Sequence, residues 1–331
     1  MHLAQVKSTQ ARWFFSEGVP SLLTNCDLCG SLFFASIALL YWLIDCLIDM
    51  ADWRDQMITI PAGEYAIGSD SFYPEEAPVR SVEIRSFLID AAPVTNAEFA
   101  RFVSETGYVT VSEKPPDPVL YPNLPPDQQN PESAVFIPPP PSVDRNQPMS
   151  WWALIEGADW SHPQGPDSGI DDLMDHPVVH LAYDDVLAYA SWVGKRLPTA
   201  EEWEVAARGG LVQQNYAWGE EMTPDGQWLA NVWQGPFPWM NEQKDGWFWT
   251  SPVGTFPPNG YGLVDMCGNV WEWTSTLFPV AKGEQERRII KGGSFLCAEN
   301  YCHRFRPAAL MGQTTDTATC HMGFRCAADS V

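Results

Sequence analysis

The chain has 331 residues, of which 45% are apolar and 13% aromatic, and its formal charge is −23. This apolar content can fill one large core, so we expect a single globular domain preceded by a tail. The acidic charge would repel nucleic acid phosphates and anionic lipids, which excludes nucleic acid as an expected partner. The 29 prolines and 24 glycines indicate short elements joined by long loops.

Residues 1–56 are interpreted as an N-terminal extension. Within it, residues 31–44 are continuously apolar and follow Lys7 and Arg12, which is typical of a signal peptide or a short anchor. The run is shorter than the roughly 20 residues that a membrane-spanning helix needs. A membrane anchor, a packed or interfacial segment, and a start codon placed too far upstream all remain open.

The domain pattern begins at residue 57. Residues 57–69 predict two strands separated by a Pro-Gly turn, and residues 79–90 alternate with the period of a strand. Thr95 and Glu98 have the spacing of a capping box, which predicts a helix that ends at Gly107.

Two further helices are predicted, over residues 184–194 and 198–210. The second begins with a Thr199 to Glu202 capping box and stops at Gly209. Only short strands and turns follow. The fold class is therefore α+β, with small antiparallel sheets, few helices and much irregular structure.

Residues 112–148 are rich in proline. Twelve of the 29 prolines fall between Pro115 and Pro148. Such a segment indicates an extended excursion over the surface, either a solvated loop or a strip that docks a partner.

The eight cysteines lie near the two ends of the chain. Cys26 and Cys29 form a lone C-x-x-C, which is a weak metal signal and is discounted. No disulfide can join the early and late parts of the chain unless one of the first three cysteines takes part. Metal ions are then the alternative means of holding long loops together.

Cys297 and Cys302 are the most informative pair. They lie in a segment from Lys291 to Arg306 that begins with a Gly-Gly turn. Their spacing fits a disulfide, a pair of core thiols, or a soft-metal site, because thiolates select Cu(I). The positive charge of Arg304 and Arg306 would favour thiolate over thiol.

Oxygen donors are concentrated in three segments, 230–239, 245–247 and 262–274. Calcium takes six to eight oxygen ligands from side chains and carbonyls, which these turns offer. Ordinary turn chemistry, in which Asn and Asp bond their own backbone, explains any one of these residues equally well.

From residue 57 to 329 the chain resembles the formylglycine-generating (sulfatase-modifying factor) enzyme family. GKRLPT and GNVWEWT mark only a broad superfamily that includes inactive members. The specific mark is the C-x-x-x-x-C pair beside Tyr301 and Arg304. The landmarks are IPAGEYAIGS (60–69), EEAPVRSVEI (75–84), WWALIEGADWSHPQGPDS (151–168), DHPVVHLAYDD (175–185), GKRLPTAEEWEVAARGG (194–210), ANVWQGPFP (230–238), FPPNGYGL (256–263), GNVWEWT (268–274), KGGSFLC (291–297) and GFRCAAD (323–329).

The resemblance implies a compact fold with little regular structure, related to C-type lectins. It implies that Cys297 and Cys302 bind Cu(I), with Cys302 buried beside Trp271, Ser294 and Tyr301 where dioxygen is activated. The implied substrate is a cysteine in an unfolded sulfatase segment, Cys-x-Pro-x-Arg, or in another polypeptide. Dioxygen and a reducing thiol would convert this cysteine to formylglycine.

Two structural calcium sites are also implied by the resemblance. The first set is the side chains of Asn231 and Asp245 with the carbonyls of Val232 and Trp247. The second set is the side chains of Asp265 and Glu272 with the carbonyls of Gly268 and Val270. Asp265 stands where family members often have Asn, which keeps an oxygen donor.

Departures from the family pattern affect compartment and substrate. Secretory members have structural disulfides, and three of the four cysteines that form them are replaced here by Ala190, Ala207 and Pro307, which leaves Cys326 without its partner. The missing disulfides favour the cytoplasm as the compartment. Membrane association through the apolar run 31–44 stays open. Leu310 stands where the family usually has a groove-lining Arg, so recognition of sulfatase is expected to be altered.

Two alternative functions follow from the same scaffold. A non-catalytic binding protein would explain the altered groove. An iron-dependent sulfoxide synthase would need a three-histidine cluster, and the six histidines show no such spacing. Cys320 and His321 are interpreted as a surface thiol and a hydrogen-bonded histidine rather than metal ligands.

Overall fold

The computed structural model describes residues 54, 56–126 and 129–330. The apolar run 31–44, Cys26, Cys29 and the rest of the predicted extension before residue 54 lie outside the described residues. Within the described ranges, no helix combines the length and the apolar character needed to cross a bilayer.

Three helices are formed where the capping and periodicity signals predict them: α1 (Asn96–Thr106), α2 (Tyr183–Trp192) and α3 (Ala200–Arg208). Both predicted capping boxes are present, with Thr95 and Thr199 accepting the backbone N–H of Glu98 and Glu202. Helices α1 and α3 each end at a glycine in the left-handed conformation, as expected for a C-cap. These local predictions are confirmed.

The strands are short and form four small sheets. Their orders are β1-β4-β11, β10-β7-β8-β9, β2-β3 and β5-β6. All pairs are antiparallel except β10 with β7, which is parallel, so the expectation of purely antiparallel sheets is wrong at this pair. The strands are β1 (Ile58–Ile60), β2 (Gly63–Ile67), β3 (Arg80–Ile84), β4 (Phe87–Ile89), β5 (Glu132–Phe136), β6 (Trp152–Glu156), β7 (Trp271–Phe278), β8 (Arg287–Lys291), β9 (Leu310–Thr314), β10 (Met322–Gly323) and β11 (Ala327–Asp329).

The proline-rich region 112–148 is not wholly a surface excursion. Its residues Glu132–Phe136 form β5, which pairs with β6, and Val135 and Phe136 are buried. This part of the prediction is wrong because the prolines flank the strand at positions 131 and 138 and leave its own N–H groups free to pair.

Two apolar clusters make up the core. The larger cluster includes Cys297 and Trp271, while the smaller one includes Leu296 and Ala298. The chain around residue 297 therefore lies at the junction of the two clusters, with successive side chains belonging to opposite sides. This junction positions the predicted site.

Candidate active site

A Gly-Gly turn brings the two halves of the site together. Gly292 and Gly293 follow β8 with positive φ angles of 94° and 72°. A Cβ added at Gly293 would lie 2.8 Å from the Cα of Phe305, so only glycine permits this approach. The turn thus places Gly293 directly against the backbone of Arg304 and Phe305, just before the segment that carries Cys297.

The thiols of Cys297 and Cys302 meet across a single backbone turn. The N–H of Cys302 donates to the carbonyl of Ala298 at 2.9 Å, and the two Sγ atoms lie 3.5 Å apart. A disulfide requires a separation of about 2.05 Å, so the pair is reduced. Cys297 is only 2% exposed and Cys302 is partly exposed, which corrects the expectation that Cys302 is the buried member.

The pKa values of the two thiols are shifted in opposite directions. The pKa of Cys302 is lowered by the hydrogen bond from the Cys297 thiol and by the positive charges of Arg304 and Arg306, which together outweigh burial. The pKa of Cys297 is raised well above its usual value by burial and by its role as donor to Cys302. Of the two thiols, Cys302 is therefore the more acidic and Cys297 the more strongly protonated.

Three predicted neighbours surround this pair. Ser294 is fully buried, and its carbonyl accepts the N–H of Cys297 at 2.9 Å. Tyr301 is 40% exposed and stacks on Phe237 with ring centroids 4.5 Å apart. Trp271 is buried in the same cluster as Cys297. The structure therefore places Ser294 and Tyr301 next to the thiols, and Trp271 in the apolar cluster that contains Cys297.

The segment 72–76 supports the thiol-bearing loop, and sequence reasoning assigned it no role in the site. The guanidinium of Arg304 lies 3.7 Å from the centroid of the Tyr73 ring and donates to Glu75 and to the carbonyl of Leu310. The N–H of His303 donates to the Tyr73 hydroxyl at 3.2 Å. Burial and the charge of Cys302 raise the pKa of Tyr73.

A second arginine is held in the same way, with deeper burial. Arg306 donates two hydrogen bonds to Glu76, and the side chains are 1% and 0% exposed. Its guanidinium also lies 3.5 Å from the centroid of the Phe72 ring. The sequence signal for these two ion pairs was two adjacent acidic residues, Glu75 and Glu76, and two arginines later in the chain. Because 229 residues separate Glu75 from Arg304, the sequence does not show that they meet.

The first predicted calcium set has an unused oxygen. Asn231 is buried, and its Oδ1 has no hydrogen-bond partner among the described residues. Asp245 accepts the N–H of Val232 at 2.9 Å and that of Trp247 at 3.0 Å, and burial raises its pKa. The orphaned amide oxygen of Asn231 fits a hard cation, while the Gln234 amide already donates to the Val232 carbonyl and to the partly buried Asp245 carboxylate.

The second calcium set is already engaged in other bonds. Both oxygens of Glu272 accept from Arg325, and one also accepts the indole N–H of Trp203 at 2.7 Å. Asp265 accepts the N–H of Gly254 at 2.7 Å, and burial raises its pKa to about 6. With one carboxylate neutralised, this set fits a divalent cation less well than the first.

Cys320 and His321 are packed into the core near the site, since the His321 carbonyl accepts the N–H of Trp271 at 2.9 Å. Cys320 is buried, and its Sγ accepts the N–H of Phe136 at 3.3 Å, so the prediction of a surface thiol is wrong. His321 forms a 2.7 Å hydrogen bond with the Thr319 hydroxyl, which confirms the prediction of a satisfied histidine.

A cavity of about 520 Å³ lies beneath the proline-rich region. Its lining combines apolar side chains with four carboxylates and one lysine. The apolar members include Leu120, Leu124 and Leu154, and the charged members are Lys114, Asp117, Glu132, Asp184 and Asp316. The cavity can therefore accept a side chain that is both apolar along its stem and cationic at its end.

Comparison with known proteins identifies relatives over most of the chain. The family description that matches residues 49–330 is "Sulfatase-modifying factor enzyme 1-like domain", and the match begins within the predicted N-terminal extension. The formylglycine-generating enzyme of Mycobacterium tuberculosis is 50% identical over 295 residues, covering 83% of this chain and 98% of that protein.

Two Bos taurus proteins match almost equally well. The formylglycine-generating enzyme is 42% identical and covers 83% of this chain and 75% of its own length. The inactive C-alpha-formylglycine-generating enzyme 2 is 41% identical, and the match covers 82% of this chain and 87% of that protein.

Among solved structures, PvdO from Pseudomonas aeruginosa is similar to this chain with a TM-score of 0.58 at 21% identity, and the match covers 83% of this chain and 94% of PvdO. At this identity the similarity shows a shared fold alone.

Proposed function

Because the chain belongs to the sulfatase-modifying factor family and is an oxidoreductase of the formylglycine-generating kind, we propose that it holds Cu(I) between Cys297 and Cys302 and oxidises a cysteine in a sulfatase-type Cys-x-Pro-x-Arg segment. Overall identity does not separate active from inactive relatives, as the two Bos taurus proteins demonstrate. The observation that carries the proposal is the reduced pair of sulfurs 3.5 Å apart.

The thiol pair has the donor chemistry that Cu(I) selects. Cys297, Arg304 and Arg306 lower the pKa of Cys302, which favours the anionic sulfur donor that Cu(I) selects, and the proton on Cys297 would leave when the metal binds. The apolar clusters on either side limit the access of water to Cys297. Bound Cu(I) would supply the redox chemistry that couples oxidation of the substrate thiol to dioxygen.

The overall reaction balances with an external thiol as reductant. The substrate group CH₂SH and one O₂ molecule, with two electrons and two protons, yield an aldehyde, hydrogen sulfide and water. Two molecules of reducing thiol supply the electrons and protons and leave as a disulfide. Burial of Cys297 limits its own access to the external thiol.

The length of β9 supports a substrate segment of this length. The β9 strand begins at Leu310, whose carbonyl accepts from Arg304 beside Cys302, and it ends at Thr314 next to the cavity. Its four steps rise about 13 Å. The four steps from Cys to Arg in an extended Cys-x-Pro-x-Arg segment span about 13 Å as well.

Charge supports the same orientation of the substrate. The cavity's four carboxylates outnumber its one lysine, so the arginine of the segment is attracted there while the cysteine reaches Cys302. Leu310 offers an apolar side chain at the start of this path, which favours an uncharged residue in the adjoining substrate position.

Structural calcium completes the proposal. The set of Asn231, Val232, Asp245 and Trp247 would hold one ion through the orphaned oxygen of Asn231. The set of Asp265, Gly268, Val270 and Glu272 would hold a second and weaker ion, because Arg325 already neutralises Glu272.

A reducing compartment, namely the cytoplasm, fits the state of the thiols. All five described cysteines, from Cys267 to Cys326, are free. The fold in the described ranges therefore does not depend on a disulfide, and the reducing thiol that the reaction consumes would leave it intact.

The test is turnover of a synthetic Cys-x-Pro-x-Arg peptide by copper-loaded protein, with aldehyde formation read by mass spectrometry. Cu(I) affinity is measured separately by competition with a chromogenic chelator. We expect Cys297→Ser and Cys302→Ser to lose both copper affinity and aldehyde formation. Cys320→Ser is the matched control, because a serine oxygen can still accept the N–H of Phe136.

A wild-type protein that binds no Cu(I) would end the copper proposal. Copper binding without any aldehyde from this peptide would leave the thiol site intact and reject the substrate. Equal Cu(I) affinity in the two site variants and in Cys320→Ser would show that the copper is bound elsewhere.

A further inference from the structure

Residues 115–126 form a proline-rich strap at one side of the cavity. Within the strap, Tyr121 and Leu124 are tied to preceding carbonyls by single turns. Apart from a bond from the adjacent Gln129, the structure gives the strap one hydrogen bond to the rest of the described chain. In that bond the hydroxyl of Tyr121 donates to the Oδ2 of Asp316.

The acceptor of this bond is a carboxylate with neutral partners. The other oxygen of Asp316 accepts from the side-chain amide of Gln285 at 2.9 Å. No lysine or arginine of the described ranges forms an ion pair with Asp316. The hydrogen bond to Asp316 is the main cause that raises the pKa of Tyr121, to about 12, so the tyrosine stays a neutral donor.

A second carboxylate of the cavity has no ion pair with the residues that the structure describes, and it faces a like charge. Glu132 on β5 lies directly opposite Glu156 on β6. Like charges at directly opposed positions destabilise a sheet. Burial and the charge of Glu156 raise the pKa of Glu132. A cation that enters the cavity would relieve this repulsion as well as pair with Asp316.

We propose that Tyr121 and Asp316 form a latch, and that the arginine of a substrate segment opens it by replacing the tyrosine hydroxyl on Asp316. This proposal rests on the proposed function and adds a step of recognition to it. A guanidinium presents two parallel N–H donors and a full charge to a carboxylate, whereas a phenol presents one neutral donor. The exchange therefore favours arginine, and a neutral residue at the same position cannot drive it.

The latch has a measurable consequence for affinity. Its hydrogen bond has to break before arginine reaches Asp316, so the latch weakens binding of every segment whose arginine pairs with Asp316. Removing the hydroxyl alone removes this competition. Given the usual net strength of a partly exposed hydrogen bond to a charged group, binding should tighten roughly three- to tenfold.

The experiment measures binding rather than turnover. A fluorescent peptide in which serine replaces the target cysteine is titrated by anisotropy into reduced, copper-free protein, alongside a peptide with citrulline in place of arginine. We expect Tyr121→Phe to bind the arginine peptide three- to tenfold more tightly. We expect Asp316→Asn to bring the affinities of the arginine and citrulline peptides close together.

A matched control is available at the base of the strap. The Tyr108 hydroxyl donates to Asp185 at 3.1 Å, a bond of the same kind outside the cavity lining. Tyr108→Phe should leave both peptide affinities unchanged. Thermal melting confirms that each variant is folded, and Tyr121 is exposed enough for its substitution to be tolerated.

Several outcomes would overturn the latch. Unchanged or weaker arginine-peptide binding by Tyr121→Phe would do so. An equal gain for the arginine and citrulline peptides would reject the exchange on Asp316. Because the peptide contains no thiol and the protein no copper, these results are independent of whether the oxidase chemistry is correct.

Discussion

Replacing Glu76 by glutamine tests whether the buried ion pair beneath the thiol-bearing loop stabilises the fold. Arg306 is 1% exposed, and both of its bonds to Glu76 lie inside the protein. The substitution leaves a buried guanidinium without a counter-charge, which typically costs about 3–5 kcal/mol. Glu75→Gln is the matched control, because the pair with Arg304 is 29% and 16% exposed and is expected to contribute about 1 kcal/mol or less.

Urea unfolding monitored by tryptophan fluorescence gives the difference directly. Both variants should keep the wild-type slope with denaturant, because the surface exposed on unfolding is unchanged. A double variant, Glu76→Met with Arg306→Met, should recover much of the lost free energy, since apolar residues of similar volume need no counter-charge. If Glu76→Gln costs no more than Glu75→Gln, the burial argument is wrong.

Two further predictions concern calcium and acid. When calcium is added back to chelator-treated protein at roughly 100 times its dissociation constant, the unfolding free energy should rise by about 2.7 kcal/mol. Calorimetry should show that Asn231→Ala loses most of this gain. An equal gain in the variant would reject the first site. Burial lowers the pKa of His180 to about 4 in the folded state, so the contribution of His180 to stability should be complete above its unfolded pKa of about 6.5 and should fall by about 3 kcal/mol as pH falls toward 4. His180→Asn should flatten this loss in denaturation measured across that range, and an unchanged pH dependence would contradict the assignment.

The predictions that succeeded depend on neighbours in sequence. A capping box is formed by residues three apart, so Thr95 with Glu98 and Thr199 with Glu202 could be recognised without any tertiary information. The periodic apolar positions of α2 could be recognised for the same reason. The thiols of Cys297 and Cys302 are five residues apart, and their resemblance to a known family motif identified them before their geometry was available.

The predictions that failed depend on contacts between distant segments. Glu76 and Arg306 are 230 residues apart, and no local rule pairs them. The relative burial of the two thiols was wrong because it depends on how the two apolar clusters meet around residue 297. The β5 strand was missed because proline density describes a whole segment, whereas strand pairing depends on which individual N–H groups are free.

Ion pairs that join distant parts of the chain explain how a loop-rich domain can work in the presence of a reductant. Arg306 with Glu76, Arg325 with Glu272 and Lys291 with Glu204 are all buried. Each links segments that are far apart in sequence, as a disulfide would. Unlike a disulfide, an ion pair does not react with thiols, so the external thiol of the proposed reaction would not break these links. The five cysteines in the part of the chain that the structure describes are all free, which leaves Cys297 and Cys302 available for the metal that we propose.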